Sequence, residues 1–178
     1  MIEFKRIKIE EKEELRQLEN KVYNHLERKD FFMPFDNQTI DMMFDDDKII
    51  AYGAYKKGNL IGTAQLYIDE IFVKDARALL NLEGKKIADL GGSLVLPEYR
   101  RNGIMTSLST ILIQEAKKRG FEYLIITIHP ENTASNNTYL NLGAKKMVTT
   151  DMGEYLRNIY LLDLKKKKRC VRYVKKKI

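Results

Sequence analysis

The spacing of apolar residues predicts one strand and two helices at the start of the chain. Residues 4–9 alternate apolar and basic side chains late in the run, as a half-buried strand does. Residues 11–27 carry apolar side chains at helical spacing, with acidic residues in the first turn, where the helix dipole favours them. After an apolar loop broken by Pro34, residues 39–44 form a short helix candidate.

A hairpin is predicted next. Two β-rich runs, residues 48–55 and 60–68, are joined by Lys56-Lys57-Gly58-Asn59, a turn sequence that is typical of paired antiparallel strands. Residues 69–85 have no clear period, and a helical insert fits best at residues 76–82.

The second half of the chain alternates strands with helices. Residues 86–96 predict a strand that contains Gly91-Gly92, and such a pair marks a bulge or a close approach of a ligand to the backbone. A helix is predicted over residues 103–118, and the apolar run 123–128 is typical of a buried central strand. The remaining elements are a helix over 132–142 and a hairpin of 146–150 with 158–164. This order predicts an α/β protein with a mixed sheet in one domain.

Composition excludes several classes of protein. The chain has 178 residues, 44% of them hydrophobic and 32% charged, which suits one globular domain. We expect a cytoplasmic protein without a membrane span, because no run approaches roughly 18 apolar residues and the first residues lack the apolar region of a signal peptide. Cys170, His25 and His129 have no spacing that suits zinc, so we expect no metal.

The positive charge is concentrated at the end of the sequence. The net charge is +7, but residues 165–178 hold nine Lys or Arg and no acid, and the other 23 basic residues are matched by 25 acidic ones. We therefore divide the chain into a domain over residues 1–164 and a basic C-terminal tail over residues 165–178. Only this tail suits nucleic acid as a partner, and its alternative is a solubilising end.

One loop has the properties of an anion-binding site. Arg100-Arg101-Asn102-Gly103-Ile104-Met105 leads into a helix, whose first N–H groups lack partners and lie at the positive end of the dipole. The arginines add charge, and Gly103 allows close approach of the backbone to a ligand. The run matches neither a P-loop nor a dinucleotide fingerprint. By spacing alone, a helix start with two solvated arginines explains it as well.

Two segments resemble the signatures of the GNAT N-acetyltransferase superfamily. Residues 94–104, Leu-Val-Leu-Pro-Glu-Tyr-Arg-Arg-Asn-Gly-Ile, are similar to its strand, P-E-Y-R and [QR]-x-x-G-x-[GA]. Asn132 to Tyr139, followed by Leu142-Gly143-Ala144, is similar to its N-x-x-x-x-x-x-Y-x-x-x-G-[FA] segment. Both occur in the family's order and separation, and the resemblance covers residues 4–164. Met105 departs from the pattern, because this position is normally Gly or Ala.

The resemblance implies a mixed, mainly antiparallel central sheet flanked by helices. It also implies an enzyme that moves an acetyl group from acetyl-CoA, as acyl donor, to a primary amine. The backbone of Leu94, Val95 and Leu96 would then pair with the pantetheine arm and the thioester carbonyl. Asn132 would contact the same arm, and Tyr139 would lie near the sulfur.

The resemblance further assigns the pyrophosphate to the loop. Its ligands would be Arg100 and the N–H groups of Arg101, Asn102, Gly103, Ile104 and Met105. The long side chain of Met105, in place of Gly or Ala, is expected to loosen this contact.

Attack of an amine on a thioester requires a neutral nucleophile, oxyanion stabilisation and a proton for the leaving thiolate. We expect the N–H of Val95 or Leu96 to stabilise the oxyanion and the Tyr139 phenol, with an ordinary pKa near 10, to supply the proton. Asp89 is the nearest candidate for the general base, on one face with Ser93 and Val95 if alternation holds. A core tyrosine and a solvated aspartate are the alternatives.

The family walls its acceptor site with the segment after the first helix. This implies that Phe31, Phe32 and Phe35 line the site here and that Asp36 pairs with an ammonium group. The alternative is that these aromatic residues complete the core. A small-molecule amine and a peptide amine both fit as the acceptor.

A binding function is the competing hypothesis. In this hypothesis Met105 weakens the hold on CoA, and the basic tail binds RNA or another polyanion. Titration with acetyl-CoA, followed by a test for thiol release, separates the two functions.

Overall fold

A computed structural model describes residues 1–165, in which seven strands alternate with five helices. The strands are β1 (Glu3–Arg6), β2 (Ile49–Lys56), β3 (Asn59–Tyr67), β4 (Ile87–Val95), β5 (Tyr123–Ile128), β6 (Lys145–Met152) and β7 (Tyr155–Asp163). The helices are α1 (Lys12–Asn24), α2 (Asn37–Met42), α3 (Glu70–Leu79), α4 (Ile104–Lys118) and α5 (Thr133–Asn141). The predicted basic tail, apart from Lys165, lies outside the described residues.

The strands form one sheet in the order β1-β2-β3-β4-β5-β7-β6. Neighbouring strands are antiparallel except for β4 and β5, which run parallel. The predicted mixed, mainly antiparallel sheet flanked by helices is therefore confirmed. No helix within residues 1–165 is long and apolar enough to cross a membrane.

Helices cover both faces of the sheet. Leu108 and Leu112 of α4 and Tyr139 of α5 pack on one face, which we call the α4 face. The other face, called the α1 face, is covered by α1 and α2 towards β2 and by α3 towards β5 and β7. Each strand in the middle of the sheet thus contributes alternate side chains to two apolar layers, which explains why residues 123–128 are apolar throughout.

Two elements differ from the sequence-based expectation. β1 ends at Arg6, because residues 9–11 form a short 3-10 helix that leaves Ile9 63% exposed. The predicted insert at residues 76–82 is wrong in position, since α3 begins at Glu70. The Asp69 carboxylate accepts a hydrogen bond from the Ile71 N–H at 3.0 Å and so caps the start of α3.

The predicted bulge in β4 is present at Gly92. Gln65 of β3 lies opposite Gly91, whereas Thr63 lies opposite Leu94, so β4 contains one extra residue. Gly92 has a φ of 59°, and a Cβ there would lie 1.9 Å from Gln65 Oε1. Glycine is required here by conformation and by space.

The bulge changes the face to which β4 side chains point. Leu90 packs on the α4 face, but Leu94, four residues later, packs on the α1 face. In a regular strand, residues four apart share a face. Residues after Gly92 therefore point to the face opposite to the one that simple alternation, counted from the residues before Gly92, predicts.

A cleft opens between β4 and β5. The two strands pair only through Ile87 with Tyr123, Ala88 with Leu124 and Asp89 with Ile125 within residues 1–165. Beyond Asp89 the strands continue without pairing, β4 to Val95 and β5 to Ile128. The strand that contains Gly91-Gly92 thus diverges from β5 at the carboxyl ends of two parallel strands, where ligands bind in many α/β proteins.

Candidate active site

The wall of the cleft formed by β4 presents backbone groups. Leu96 donates its N–H to the Ile61 carbonyl at 3.0 Å, so it is used by the ladder with β3. Pairs in an antiparallel ladder alternate between hydrogen-bonded and non-hydrogen-bonded. The pair of Gly62 with Val95 therefore turns the Val95 N–H away from β3 and towards the cleft.

This alternation separates the three β4 residues that the sequence analysis grouped. Leu94 lies opposite Thr63, two residues before Leu96, and its backbone groups likewise point towards β3. Leu96 is not the expected oxyanion donor, because its N–H is already donated to Ile61. Val95 is the one of the three whose backbone faces the cleft.

The loop that follows β4 is shaped by two residues in the left-handed region. Arg101 has a φ of 62° and Gly103 a φ of 71°. The Asn102 side chain donates from Nδ2 to the carbonyls of Tyr99 and Arg100, each at 3.1 Å, and so supports the loop from within. Arg100 Nε donates to the Val95 carbonyl at 3.3 Å, which ties the loop to the wall of the cleft.

The start of α4 completes the predicted anion site. The first hydrogen bond of the helix runs from the Ser107 N–H to the Gly103 carbonyl at 2.9 Å. The N–H groups of Ile104 and Met105 precede it and have no partner within the helix. Among residues 1–165, no atom apart from those of its chain neighbours and its own helix backbone lies within 4 Å of the position that a Gly103 Cβ would take, so the loop is open at this residue. This arrangement can hold an anion.

Tyr139 approaches the cleft from the α4 face and is only 2% exposed. Its hydroxyl lies 3.2 Å from Ser93 Oγ and 3.3 Å from Ser109 Oγ. Burial raises the pKa of the Tyr139 phenol, although the two serine hydrogen bonds oppose that shift. The phenol therefore keeps its proton at neutral pH. Sequence reasoning did not identify the serines as its partners, because a lone serine on a strand or helix has no distinguishing pattern.

The start of α5 is held by asparagines. Asn132 Oδ1 accepts from the Ser135 N–H at 3.3 Å, which caps the helix. Asn136, which the sequence analysis did not single out, is buried and donates to the carbonyls of His129 and Asn132 at 3.0 and 2.8 Å. Its Oδ1 accepts from Asn158 Nδ2 at 3.1 Å. These bonds fix α5 against β7 and thereby fix the position of Tyr139.

Asp89 lies on the opposite side of the sheet from Tyr139. The expectation that it shares a face with Ser93 and Val95 is wrong, because the bulge at Gly92 intervenes. It is in register with Tyr67 of β3 and is partly buried. Burial raises the pKa of the Asp89 carboxyl to about 7. Within residues 1–165 it has no hydrogen bond or ion pair that would hold it ionised.

The residues expected to wall the acceptor site contact different parts of the fold. Phe35 is buried in the core between α1 and α2, and Phe32 packs edge-to-face on it at 5.2 Å between ring centroids. Asp36 caps α2 by accepting the Thr39 N–H at 2.6 Å, and that bond lowers the pKa of its carboxyl. Phe31 faces the end of β5, with its ring centroid 5.1 Å from that of His129.

A charged cluster joins the segment after α1 to the end of β5. His129 is 4% exposed, and its Nε2 lies 3.4 Å from Asp30 Oδ2. Its Nδ1 accepts the Glu131 N–H at 3.2 Å. Arg28 donates to Asp30 at 2.6 Å and forms an ion pair with Glu131. Within residues 1–165, this cluster included, no group of three or more His, Cys, Asp or Glu could hold a metal.

Comparisons with known proteins give a family match and similar folds. The Acetyltransferase (GNAT) family matches residues 12–144 by its sequence profile. No curated protein matches the chain significantly. The ribosomal-protein-S18-alanine N-acetyltransferase from Escherichia coli has a similar structure, with a TM-score of 0.69, 17% identity, and 97% of this chain and 100% of that chain covered.

Two other solved structures are similar to the same extent. An N-acetyltransferase from Staphylococcus aureus has a TM-score of 0.70 and 18% identity, and the match covers 93% of this chain and 99% of that one. The PaiA N-acetyltransferase from Thermoplasma acidophilum, in complex with coenzyme A, has a TM-score of 0.62 and 18% identity, with 92% and 99% covered. At these identities the similarity is one of fold.

Proposed function

The chain belongs to the GNAT acetyltransferase family, and on that premise we propose that it transfers an acetyl group from acetyl-CoA to a primary amine by direct attack. The observation that carries this proposal is the cleft between β4 and β5. It has the Val95 N–H on its wall, the start of α4 at its mouth and ionisable side chains on both sides.

The chemistry of the cleft fits acetyl-CoA. The N–H groups at the start of α4, with Arg100 and Arg101, form a donor set suited to a diphosphate. The backbone of Val95 is turned towards the space in which an extended arm would lie as an added strand. Asn132 stands at the start of α5 beside this space. When bound, acetyl-CoA supplies a thioester carbonyl carbon that is activated for attack.

Asp89 acts as the general base in this proposal. A carboxyl with a pKa of about 7 is close to the optimum for proton transfer at neutral pH. It takes a proton from the acceptor's ammonium group, which leaves the nitrogen neutral and nucleophilic. The α1 face is therefore the side from which the acceptor enters, and Phe31 and Phe32 lie in the segment that covers this face.

Tyr139 and Val95 act on the thioester. The Val95 N–H donates to the carbonyl oxygen as that oxygen gains negative charge. The Tyr139 phenol gives its proton to the departing sulfur and recovers one from solvent. The acceptor nitrogen loses two protons in all: Asp89 takes the first before the attack, and water takes the second after the C–N bond has formed. The C–S bond breaks as the Tyr139 proton passes to the sulfur.

The bulge at Gly92 explains why the base and the acid stand on opposite sides. It brings Ser93, the partner of Tyr139, to the α4 face, while Asp89 stays on the α1 face. In the proposal, the base is thus on the side of the amine and the acid on the side of the departing sulfur. A regular strand would have placed Asp89 and Ser93 together.

Thermal-shift titration with acetyl-CoA, followed by thiol release across a panel of primary amines, tests the proposal. We expect acetyl-CoA to raise the melting temperature in a saturable way and the thiol to appear only when an amine is present. Absence of any shift at millimolar acetyl-CoA would contradict the proposal.

A further inference from the structure

Arg157 on β7 is a buried cation without an acidic partner in the described residues. It is 8% exposed, and the only hydrogen bond of its side chain within residues 1–165 runs from Nη1 to the carbonyl of the adjacent Leu156, at 2.9 Å. Its guanidinium carbon lies 4.8 Å from the centroid of the Tyr155 ring. A guanidinium has five N–H donors. Four of them thus have no acceptor among the described residues.

Such an arrangement is unfavourable for the protein alone. Burial lowers the pKa of Arg157, which reflects the cost of keeping its charge away from water. A buried charge is normally paired or hydrogen-bonded, because the loss of hydration is otherwise not compensated. An anion bound from outside the chain would provide the missing acceptors.

The acids nearest to Arg157 are already used. Asp30 attracts Arg157, but no oxygen of Asp30 is within ion-pair distance of it, and the Asp30 carboxylate is bonded to Arg28 and close to His129. Glu131 is paired with the same Arg28. The cluster therefore leaves the Arg157 charge unneutralised at close range.

The register places Arg157 on the side of the cleft from which the acceptor enters. The ladder between β5 and β7 ends with Ile128 opposite Asn158, so the next position places Arg157 opposite His129. Ile159, two residues along β7, packs with Ile125 on the α1 face, and alternation brings Arg157 to the same face.

The base and the arginine thus lie at two ends of one surface. Asp89 is in register with Ile125, and His129 is four residues further along β5. Four residues of a strand span about 13 Å, and β4 and β7 lie on opposite sides of β5, each about 4.8 Å from it. This end of β5 is the one at which β4 has diverged, so the surface between Asp89 and Arg157 borders the open part of the cleft.

We infer that Arg157 binds a carboxylate carried by the amine acceptor, at a distance of several bonds from the reacting nitrogen. The inference rests on the proposed function, because it takes Asp89 as the site of the amine. A carboxylate matches the two parallel donors of a guanidinium. The span along β5 favours an amine at the end of a chain, as in ω-amino carboxylates or lysine reacting at its side chain.

The test compares ω-amino carboxylates of increasing chain length with the corresponding uncharged ω-amino amides. The kcat/KM of each acceptor is measured by thiol release with wild type, Arg157→Gln and Arg157→Lys. Arg119→Gln is the matched control, because Arg119 is an arginine paired with Glu115 and Asp46, neither of which belongs to the cluster beside Arg157. Melting temperatures and the KM for acetyl-CoA are recorded for every variant.

We expect wild type to prefer a carboxylate of suitable length over its amide by at least about tenfold, the ratio that one charged hydrogen bond provides. Arg157→Gln should abolish this preference by lowering kcat/KM for carboxylates alone, and Arg157→Lys should restore part of it. Arg119→Gln should keep the preference.

Two results overturn the inference while leaving the proposed function intact: equal use of carboxylates and amides by wild type, or an unchanged preference in Arg157→Gln. If wild type acetylates no amine at all, the proposed function fails and the inference fails with it. If Arg157→Gln does not fold, the ratio in wild type and its change in Arg157→Lys decide the question.

Discussion

Ser93 Oγ and the Tyr139 hydroxyl lie 3.2 Å apart, which joins the distorted part of β4 to α5 beside the cleft. Ser109 Oγ of α4 lies 3.3 Å from the same hydroxyl. The phenol is therefore positioned from three elements of the fold. A tyrosine that merely filled the core would not require two hydroxyl partners, although a buried Tyr hydroxyl does require at least one.

Replacing Tyr139 with Phe is expected to lower kcat by roughly a hundredfold, because the proton for the leaving sulfur is lost. The affinity for acetyl-CoA should change far less, since the ring remains in place. Steady-state kinetics and a binding titration separate the two effects. Tyr55→Phe is the matched control: it removes the hydroxyl of another buried tyrosine, on β2 and away from the proposed chemistry. Its kcat should stay near that of wild type, and a similar loss in both variants would contradict the acid role.

Replacing Asp89 with Asn is expected to remove the acidic limb of the pH profile. The carboxyl must be ionised to accept a proton, so kcat/KM of wild type should rise with pH and level off above about 7. In Asp89→Asn the rate at neutral pH should fall on the order of a hundredfold, without this limb. Asp75→Asn, at an exposed acid of α3, is the control and should keep the wild-type profile.

The same group links stability to pH. The folded-state pKa of Asp89 lies above its ordinary value of 3.8, so the folded protein binds more protons than the unfolded chain between about pH 4 and 7. The contribution of Asp89 to the free energy of unfolding therefore decreases as pH rises through this window. Denaturant titrations should show Asp89→Asn gaining stability relative to wild type as pH rises. A constant difference between them would argue against the raised pKa.

Much of the fold is predictable because the apolar periods are long and regular. The strand at residues 123–128 and the helix that becomes α4 lie where the pattern places them. α3 is displaced from its predicted position because exposed Ile71 and Leu79 blur its apolar stripe. Its capping residue, Asp69, was the better signal for where the helix begins.

The site was less predictable, because its geometry depends on one irregular residue. Alternation applied to β4 puts Asp89 with Ser93, and only the conformation of Gly92 separates them. Asp36 has a local contact that its position in the sequence indicates. It precedes Thr39 by three residues and caps the start of α2. Arg157 has no sequence signature, since the lack of a partner for its charge exists only in the folded chain.

Replacing Gly92 with Ala is expected to lower the free energy of unfolding by at least about 2 kcal/mol. Its φ of 59° is costly for any residue with a Cβ, and that atom would also collide with Gln65. Gly58→Ala separates the two causes, because Gly58 has a φ of 80° but an added Cβ there would meet no atom within 4 Å in the part of the chain that the structure describes. The control should lose only about 1 kcal/mol in chemical denaturation. Equal losses of stability in the two variants would show that the contact with Gln65 does not contribute to the effect of Gly92→Ala.

Replacing Met105 with Ala is expected to tighten the binding of acetyl-CoA several-fold. Met105 stands at the start of α4, where the family has Gly or Ala, and its side chain is half-buried beside the proposed pyrophosphate site. Acetyl-pantetheine, which lacks the pyrophosphate, should bind equally to both proteins. Met147→Ala, at an exposed methionine of β6, is the control and should change neither affinity. Weaker binding of acetyl-CoA by Met105→Ala would mean that the methionine supports the cofactor.

Acetyl transfer in the cleft between β4 and β5 is tested most simply by detecting the acetylated amine by mass spectrometry and measuring the amount of CoA thiol released from acetyl-CoA. We expect one acetylated amine for each thiol, and loss of both products in the Asp89→Asn, Tyr139→Phe double variant. Thiol release without an acetylated amine, or no consumption of the thioester with any amine, would contradict the assignment of the cleft between β4 and β5 as an acetyltransferase site.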